Sequence, residues 1–183
     1  MSRLTRSLLL SLSILVASCA SEFAVKTGVD LAPNAGIYLL DPPPSLVADN
    51  WQQVLEVHHG DEQHTLLAQL SLNSETGINL AVMTAQGMPI FQLEKAPQGP
   101  IKSEKMLPIN AVDPRYILAD IMLVHWPVTV LNSQLYGLNL VEQGSTRRLY
   151  QGEQLISEIR YLDGATELVN FQRDYKIKFQ RVN

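Results

Sequence analysis

Two blocks of alternating apolar and polar residues flank a single helical segment, and this order restricts the fold more than any other feature of the chain. In the first block His64, Leu66, Ala68, Leu70 and Leu72 fall on one face and Thr65, Gln69 and Ser71 on the other. Period two with one polar face predicts an antiparallel strand. Trp51 to His59 precedes it across Gly60-Asp61, and Ile78, Leu80 and Val82 follow the turn Asn73 to Gly77. Ile90 to Glu94 comes after Gln86-Gly87-Met88-Pro89. Short turns between alternating runs predict a meander. The second block supplies Leu138 to Glu142, Thr146 to Tyr150, Leu155 to Tyr161, Thr166 to Gln172 and Tyr175 to Arg181. Asp163-Gly164 between two of these tolerates positive φ and suits a hairpin.

Asp113 to Trp126 reads as the one strong helix. Asp113 can accept from free first-turn amides, and Pro114 is pre-set for the first helical position. Ile117, Ile121 and Val124 lie on one side, Leu118 and Met122 beside them and Leu123 beyond. A helix apolar over most of its circumference has to be enclosed. Pro127 ends or kinks it, and Val128 to Leu135 leaves room for a short second helical turn. Prolines 97, 100 and 108 with Gly99 predict a long surface loop from Lys95 to Val112. The expected class is α+β: a strongly curved antiparallel sheet of about nine strands, an incomplete β-barrel wrapped around one main helix.

The N-terminus carries Arg3 and Arg6 ahead of the apolar run Leu8 to Cys19, which ends at the only cysteine. A positive region, a short apolar region and small residues before a cleavage point describe an export signal. Val16-Ala17-Ser18-Cys19 resembles the lipobox of bacterial lipoproteins, which implies that Cys19 is acylated and becomes the first mature residue. The other readings are an ordinary secretory peptide with a chance cysteine and an uncleaved anchor, for which the run is short. The division that follows is a signal peptide over 1–18, an acylated cysteine and tether over 19–36, and one domain over 37–183. Glycine, proline and small residues interrupt any period from Ser21 to Gly36. A strand is possible at Ile37 to Leu40, and Pro42-Pro43-Pro44 ends it. Ala20 after the cysteine implies, by the same resemblance, the inner face of the outer membrane.

Removing residues 1–18 lowers the basic residues from 14 to 12 against 18 acidic ones, a net charge of −6. An acidic domain without a basic cluster is not built to neutralise nucleic-acid phosphates or to read anionic lipids. The acylated cysteine, the meander, the helix ending His125-Trp126-Pro127, the strand Arg147-Arg148-Leu149-Tyr150 and the closing segment Asn170 to Ile177 together resemble uncharacterised outer-membrane lipoproteins of aryl polyene gene clusters. Their architecture in turn resembles the lipoprotein-localisation factors LolA and LolB, half-barrels whose interior takes acyl chains. The resemblance implies a carrier or chaperone holding an apolar lipid, polyene or acyl ligand, with protein partners in lipid or pigment assembly. A cavity of that kind would be lined by Leu66, Leu70, Leu80, Val82, Ile117, Ile121 and Met122; the same residues also suit a packed core. Met83, Met88 and Met106 would add adaptable lining if they point inward. The alternative function is a membrane-anchored structural or interaction protein of a biosynthetic complex without a cavity.

No reaction is legible. His58, His59 and His64 with Asp61 and Glu62 lack metal-ligand spacing, since adjacent strand residues point to opposite faces. There is no G-x-S-x-G elbow and no phosphate-cradling glycine loop. Asp120 and His125 are spaced i, i+5 and share no helix face. Arg147 and Arg148 suit either a carboxylate or lipid phosphate at the mouth, or a solvated strand end. The expectation is a protein that is not an enzyme, with no cofactor and no metal.

Overall fold

A computed structural model of the protein describes residues 27–106 and 113–182, apart from the side chains of residues 48 and 49. The signal peptide, Cys19 and the first part of the tether lie outside the described residues. In chain order the elements are β1 (Gly28–Ala32), β2 (Ala35–Tyr38), β3 (Ala48–His59), β4 (Glu62–Asn73), β5 (Gly77–Thr84), β6 (Pro89–Lys95) and β7 (Ile101–Lys105). The helices α1 (Pro114–His125) and α2 (Val128–Asn132) follow, and then β8 (Leu135–Tyr136), β9 (Asn139–Gln143), β10 (Thr146–Gln151), β11 (Gln154–Leu162), β12 (Ala165–Asn170) and β13 (Tyr175–Arg181).

Ten strands form one antiparallel sheet in the order β7-β6-β5-β4-β3-β13-β12-β11-β10-β9. The first strand of the first block pairs with the last strand of the second, Leu55 opposite Phe179 and Val57 opposite Ile177. That pairing lies in the middle of the sheet, so β7 and β9 become two separate edges. The sheet is therefore open, and it is neither closed nor strongly curved. This corrects the expected incomplete β-barrel. Alternation states which face of a strand is buried, but it does not state how far the sheet bends.

The element that takes the place of a barrel wall is a second sheet of three strands, β1-β2-β8. Part of the stretch expected as tether belongs to it, because Val29, Leu31, Ala32, Ala35 and Ile37 are all buried. Gly36 is where this sheet tightens. A Cβ there would collide with the Val29 carbonyl and the Tyr136 ring. The long loop expected from Lys95 is also shorter than predicted, since Ile101–Lys105 adds to β6 with Leu93 opposite Ser103. The polar sequence Lys102-Ser103-Glu104-Lys105 hides this edge strand, and such charged residues are common where a sheet edge meets water.

α1 packs against both sheets, meeting β1 of the small one and side chains of β10, β11 and β13 of the large one. Asp113 accepts from the Arg115 amide at 2.9 Å, and Pro114 starts the helix as expected. Leu118, Ala119, Ile121, Met122, Leu123 and Val124 are all buried, along with Trp126 just beyond the C-terminus. They share one core with Leu55, Leu70, Leu72, Ile78, Leu93, Leu149, Ile159 and Leu168 from the large sheet and Leu31 and Ile37 from the small one. The chain leaving β2 is fastened to the same helix. The Leu40 amide meets the Met122 sulfur at 3.4 Å, and Trp126 Nε1 donates to the Asp41 carbonyl at 3.2 Å. The Asp41 carboxylate takes the buried Lys95 ammonium and the Gln98 amide, which anchors the chain ahead of Pro42-Pro43-Pro44.

Trp126 closes the core and holds the segment after β2, so Trp126→Ala should cost about 3–5 kcal/mol. Urea unfolding would measure this, and a loss below about 1 kcal/mol would show that the site collapses without it.

Candidate functional site

The C-terminal end and the middle of α1 are met by polar side chains projecting from the large sheet. At the C-terminal end, Arg147 on β10 lies on the same face as Leu149. Its Nη1 donates to the carbonyls of Leu123, Val124 and Trp126 at 2.9, 3.2 and 2.9 Å. Tyr161 donates to the Val124 carbonyl at 2.6 Å, and Glu142 accepts from Arg147 Nε at 2.5 Å. A cation over free carbonyls at a helix C-terminus satisfies orphan acceptors and opposes the negative end of the dipole. Arg147, with only 12% of its side chain exposed, therefore holds the helix rather than reaching a ligand or water. Arg148 points the other way and meets Glu158 at 2.6 Å, which also pairs with Arg160 at 2.5 Å.

His125 ends the helix beside Trp51, with ring centres 5.2 Å apart, while the Arg181 guanidinium lies 3.8 Å over the same indole. Burial lowers the His125 pKa to about 4, and the charges of Arg181 and Arg147 push in the same direction. His125 is thus a neutral packing residue.

The middle of α1 holds the more unusual group. Asp120 is buried in the helix, and Tyr175 on β13 donates to its Oδ2 at 2.5 Å. Asn170 Nδ2 donates to the Tyr175 hydroxyl at 3.2 Å, and Asn170 Oδ1 accepts the Arg173 amide at 2.9 Å. Desolvation raises the Asp120 pKa to about 7, against the opposing effects of the Tyr175 hydrogen bond and the Arg173 charge. Desolvation and the neighbouring Asp120 also push the Tyr175 phenol upward. The Arg173 guanidinium lies 3.7 Å over the Tyr116 ring and donates to the Asp30 carbonyl at 2.6 Å. Tyr136 donates to the Asp30 carboxylate at 2.6 Å. These groups border an open depression of about 320 Å³, lined by Asp30, Asn34, Tyr116, Gln172, Arg173 and the β1–β2 turn. The Asn170 to Tyr175 segment was visible in the sequence; its link to Asp120 was not.

The residues expected to line an acyl cavity are elsewhere. Leu70, Leu80, Ile121 and Met122 are buried in the core, with Leu66, Val82 and Ile117 packed against it. Met88 and Met106 are exposed. The predicted half-barrel cavity for an acyl or polyene ligand is overturned, because the large sheet is open and not strongly curved and the residues named for the lining belong to the core or pack against it. Among the described residues, no group of three or more His, Cys, Asp and Glu side chains is placed to hold a metal. His64 meets only Glu62, at 3.3 Å, near an exposed hairpin end.

Asp120 and His125 give opposite pH dependences. Folded Asp120 keeps its proton to about pH 7 and the unfolded chain only to about pH 4, so its contribution to stability is lost as pH rises through that window. His125 is neutral in the fold down to about pH 4 and titrates near pH 6.5 when unfolded. Its contribution is therefore lost as pH falls through that range. Asp120→Asn should abolish the first slope and keep the second. The stability of the variant relative to the parent chain should rise between about pH 4 and pH 7 by a few kcal/mol and then level off, as read from urea midpoints. A difference independent of pH would show that Asp120 stays ionised in the fold.

No curated protein matches this chain. The expected link to aryl polyene clusters has no support from the family match, and the open sheet departs from the LolA and LolB half-barrel. Residues 50–183, from β3 to the end of the chain and including α1 and all of β13, match the model of a protein family of unknown function, DUF3261, and the protein belongs to that family.

Proposed function

We propose that this protein is a surface-binding module held at a membrane by an acylated Cys19, on the periplasmic face of the outer membrane. The observation that carries this reading is the filled interior. With α1 packed against both sheets, recognition falls to the outside of the molecule. The outer face of the large sheet suits exposure to water. Its ion pairs run across five adjacent strands, from Arg148, Glu158 and Arg160 through Glu167 with Lys176 at 2.9 Å to Lys178 with Glu56 at 3.7 Å. Charges of alternating sign keep such a face soluble and favour no large anionic surface.

The tether supports the same arrangement. Eight peptide units join Cys19 to Thr27, so the anchor can stand at most about 26–29 Å from the start of the described chain. Two or more acyl chains on the cysteine would give stable attachment, where one alone gives marginal binding. The domain would then work within roughly its own diameter of the bilayer.

Metabolic labelling with palmitate and membrane fractionation test this reading. The full chain should take up label and sediment with outer membranes, whereas Cys19→Ser should be unlabelled and leave the membrane fraction. Label-free protein in the soluble fraction of the unaltered chain, or Cys19→Ser remaining with the membrane, would overturn the anchor.

A further inference from the structure

On the outer face of the large sheet, away from the ion pairs, lies a polar trough of about 240 Å³. Strand register explains it. Gln69 on β4, Ala81 on β5 and Gln92 on β6 lie side by side in one row, and Ser71, Asn79 and Glu94 form the next. Ala81 is the one small side chain between two long glutamines, so the surface dips there. Leu80 and Leu93, whose side chains belong to the core, close the trough from behind. Neighbouring strands lie about 4.8 Å apart and same-face residues about 7 Å, which makes a trough roughly 10 Å by 7 Å.

One corner is prearranged. Asn50 sits at φ +53° beside a register shift in β3, a left-handed conformation that asparagine tolerates better than most residues. Its amide donates to Ser71 Oγ at 3.2 Å, and its Oδ1 accepts from Gln69 Nε2 at 3.1 Å and Ser71 Oγ at 3.3 Å. Bulges that re-aim a side chain recur beside functional sites. Asn79, Gln92 and Glu94 are exposed on the far side.

We infer that this trough is a binding site for a neutral saccharide. Each amide offers paired donors and an acceptor, and the carboxylate only accepts, a set that matches ring hydroxyls able to do both. Among the described residues that line the trough none is cationic, which disfavours phosphate, and Glu94 is the one carboxylate, which disfavours a metal; Lys102 and Glu104 on β7 continue the two rows beyond Glu94 and Gln92. Among those lining residues the one apolar side chain on the solvent side is the methyl of Ala81. Such an open polar site binds weakly, with a dissociation constant of about 1 mM. This inference does not depend on the acylation of Cys19.

Saturation-transfer NMR on the full chain, in a phosphocholine detergent free of sugar, tests it with chitotetraose and maltotetraose as probes. At least one should give a transfer signal; chitotetraose alone would point to an N-acetylated cell-wall type of glycan and maltotetraose alone to a plain hexose chain. Ala81→Leu, which fills the floor at a solvent-facing position, and Gln92→Ala, which removes one rim, should each weaken binding at least tenfold at an unchanged melting temperature. Lys178→Ala, on the same face but outside the trough, should not. No signal from either probe, or an equal signal in both trough variants, would overturn the site. If Ala81→Leu disturbs folding, Gln92→Ala together with Glu94→Gln decides the matter.

Discussion

Enclosing one helix on every side is the constraint from which the rest of this fold follows. α1 carries apolar residues around most of its surface, and one sheet can cover only part of that. The large sheet supplies one wall and the β1-β2-β8 sheet the other. The small sheet exists for this purpose. Its hairpin is too short to stand alone, and Val29, Leu31, Ala32, Ala35 and Ile37 on it are buried in the common core. The same enclosure joins α1 and residues of both sheets into one buried core.

A helix buried this completely must also have its polar ends satisfied from within the protein. Arg147 and Tyr161 do so at the C-terminal end, and Asp113 does so at the start. Asp120 has no such simple role. It is a carboxyl placed where water is excluded, matched by one phenol and a more distant guanidinium. Polar groups of this kind cost stability when left unpaired, so the Tyr175 hydroxyl both offsets that cost and fixes the height of α1 against β13.

Much of this was legible in the residues, and the remainder was hidden for physical reasons. The alternation of β4 and β5 and the Asp113-Pro114 start of α1 are strong local signals, and the structure has those elements in place. β7 was missed because Lys102-Ser103-Glu104-Lys105 is polar on both faces of an edge strand and carries no period. β1 and the start of β2 fall in the expected tether because glycine, proline and small residues interrupt any period there, while the end of β2 overlaps the strand expected from Ile37. The expected curvature rested on the order of strand block, helix and strand block, and neither that order nor alternation fixes how far a sheet bends. The roles of Arg147 and Arg148 separate only when one notes that Arg147 shares a face with Leu149. Asp120 enters the sequence reading only through its i, i+5 spacing from His125, and its partner Tyr175 lies 55 positions away. The trough of Asn50, Gln69, Asn79 and Gln92 needed four strands in register before it became a surface at all.

The pairing of β13 with β3 has a consequence for how the chain reaches this state. The two halves of the large sheet meet only where the final strand, ending at Arg181, lies along residues more than a hundred positions earlier. Until that strand arrives, each half keeps an unpaired edge at what will be its centre, and Tyr175 is not yet beside Asp120. Contacts of such long separation form late and slow the approach to the native state. The central seam of the sheet therefore closes only when β13 lies along β3, and the two halves of the core are joined in the same step that brings Tyr175 to Asp120.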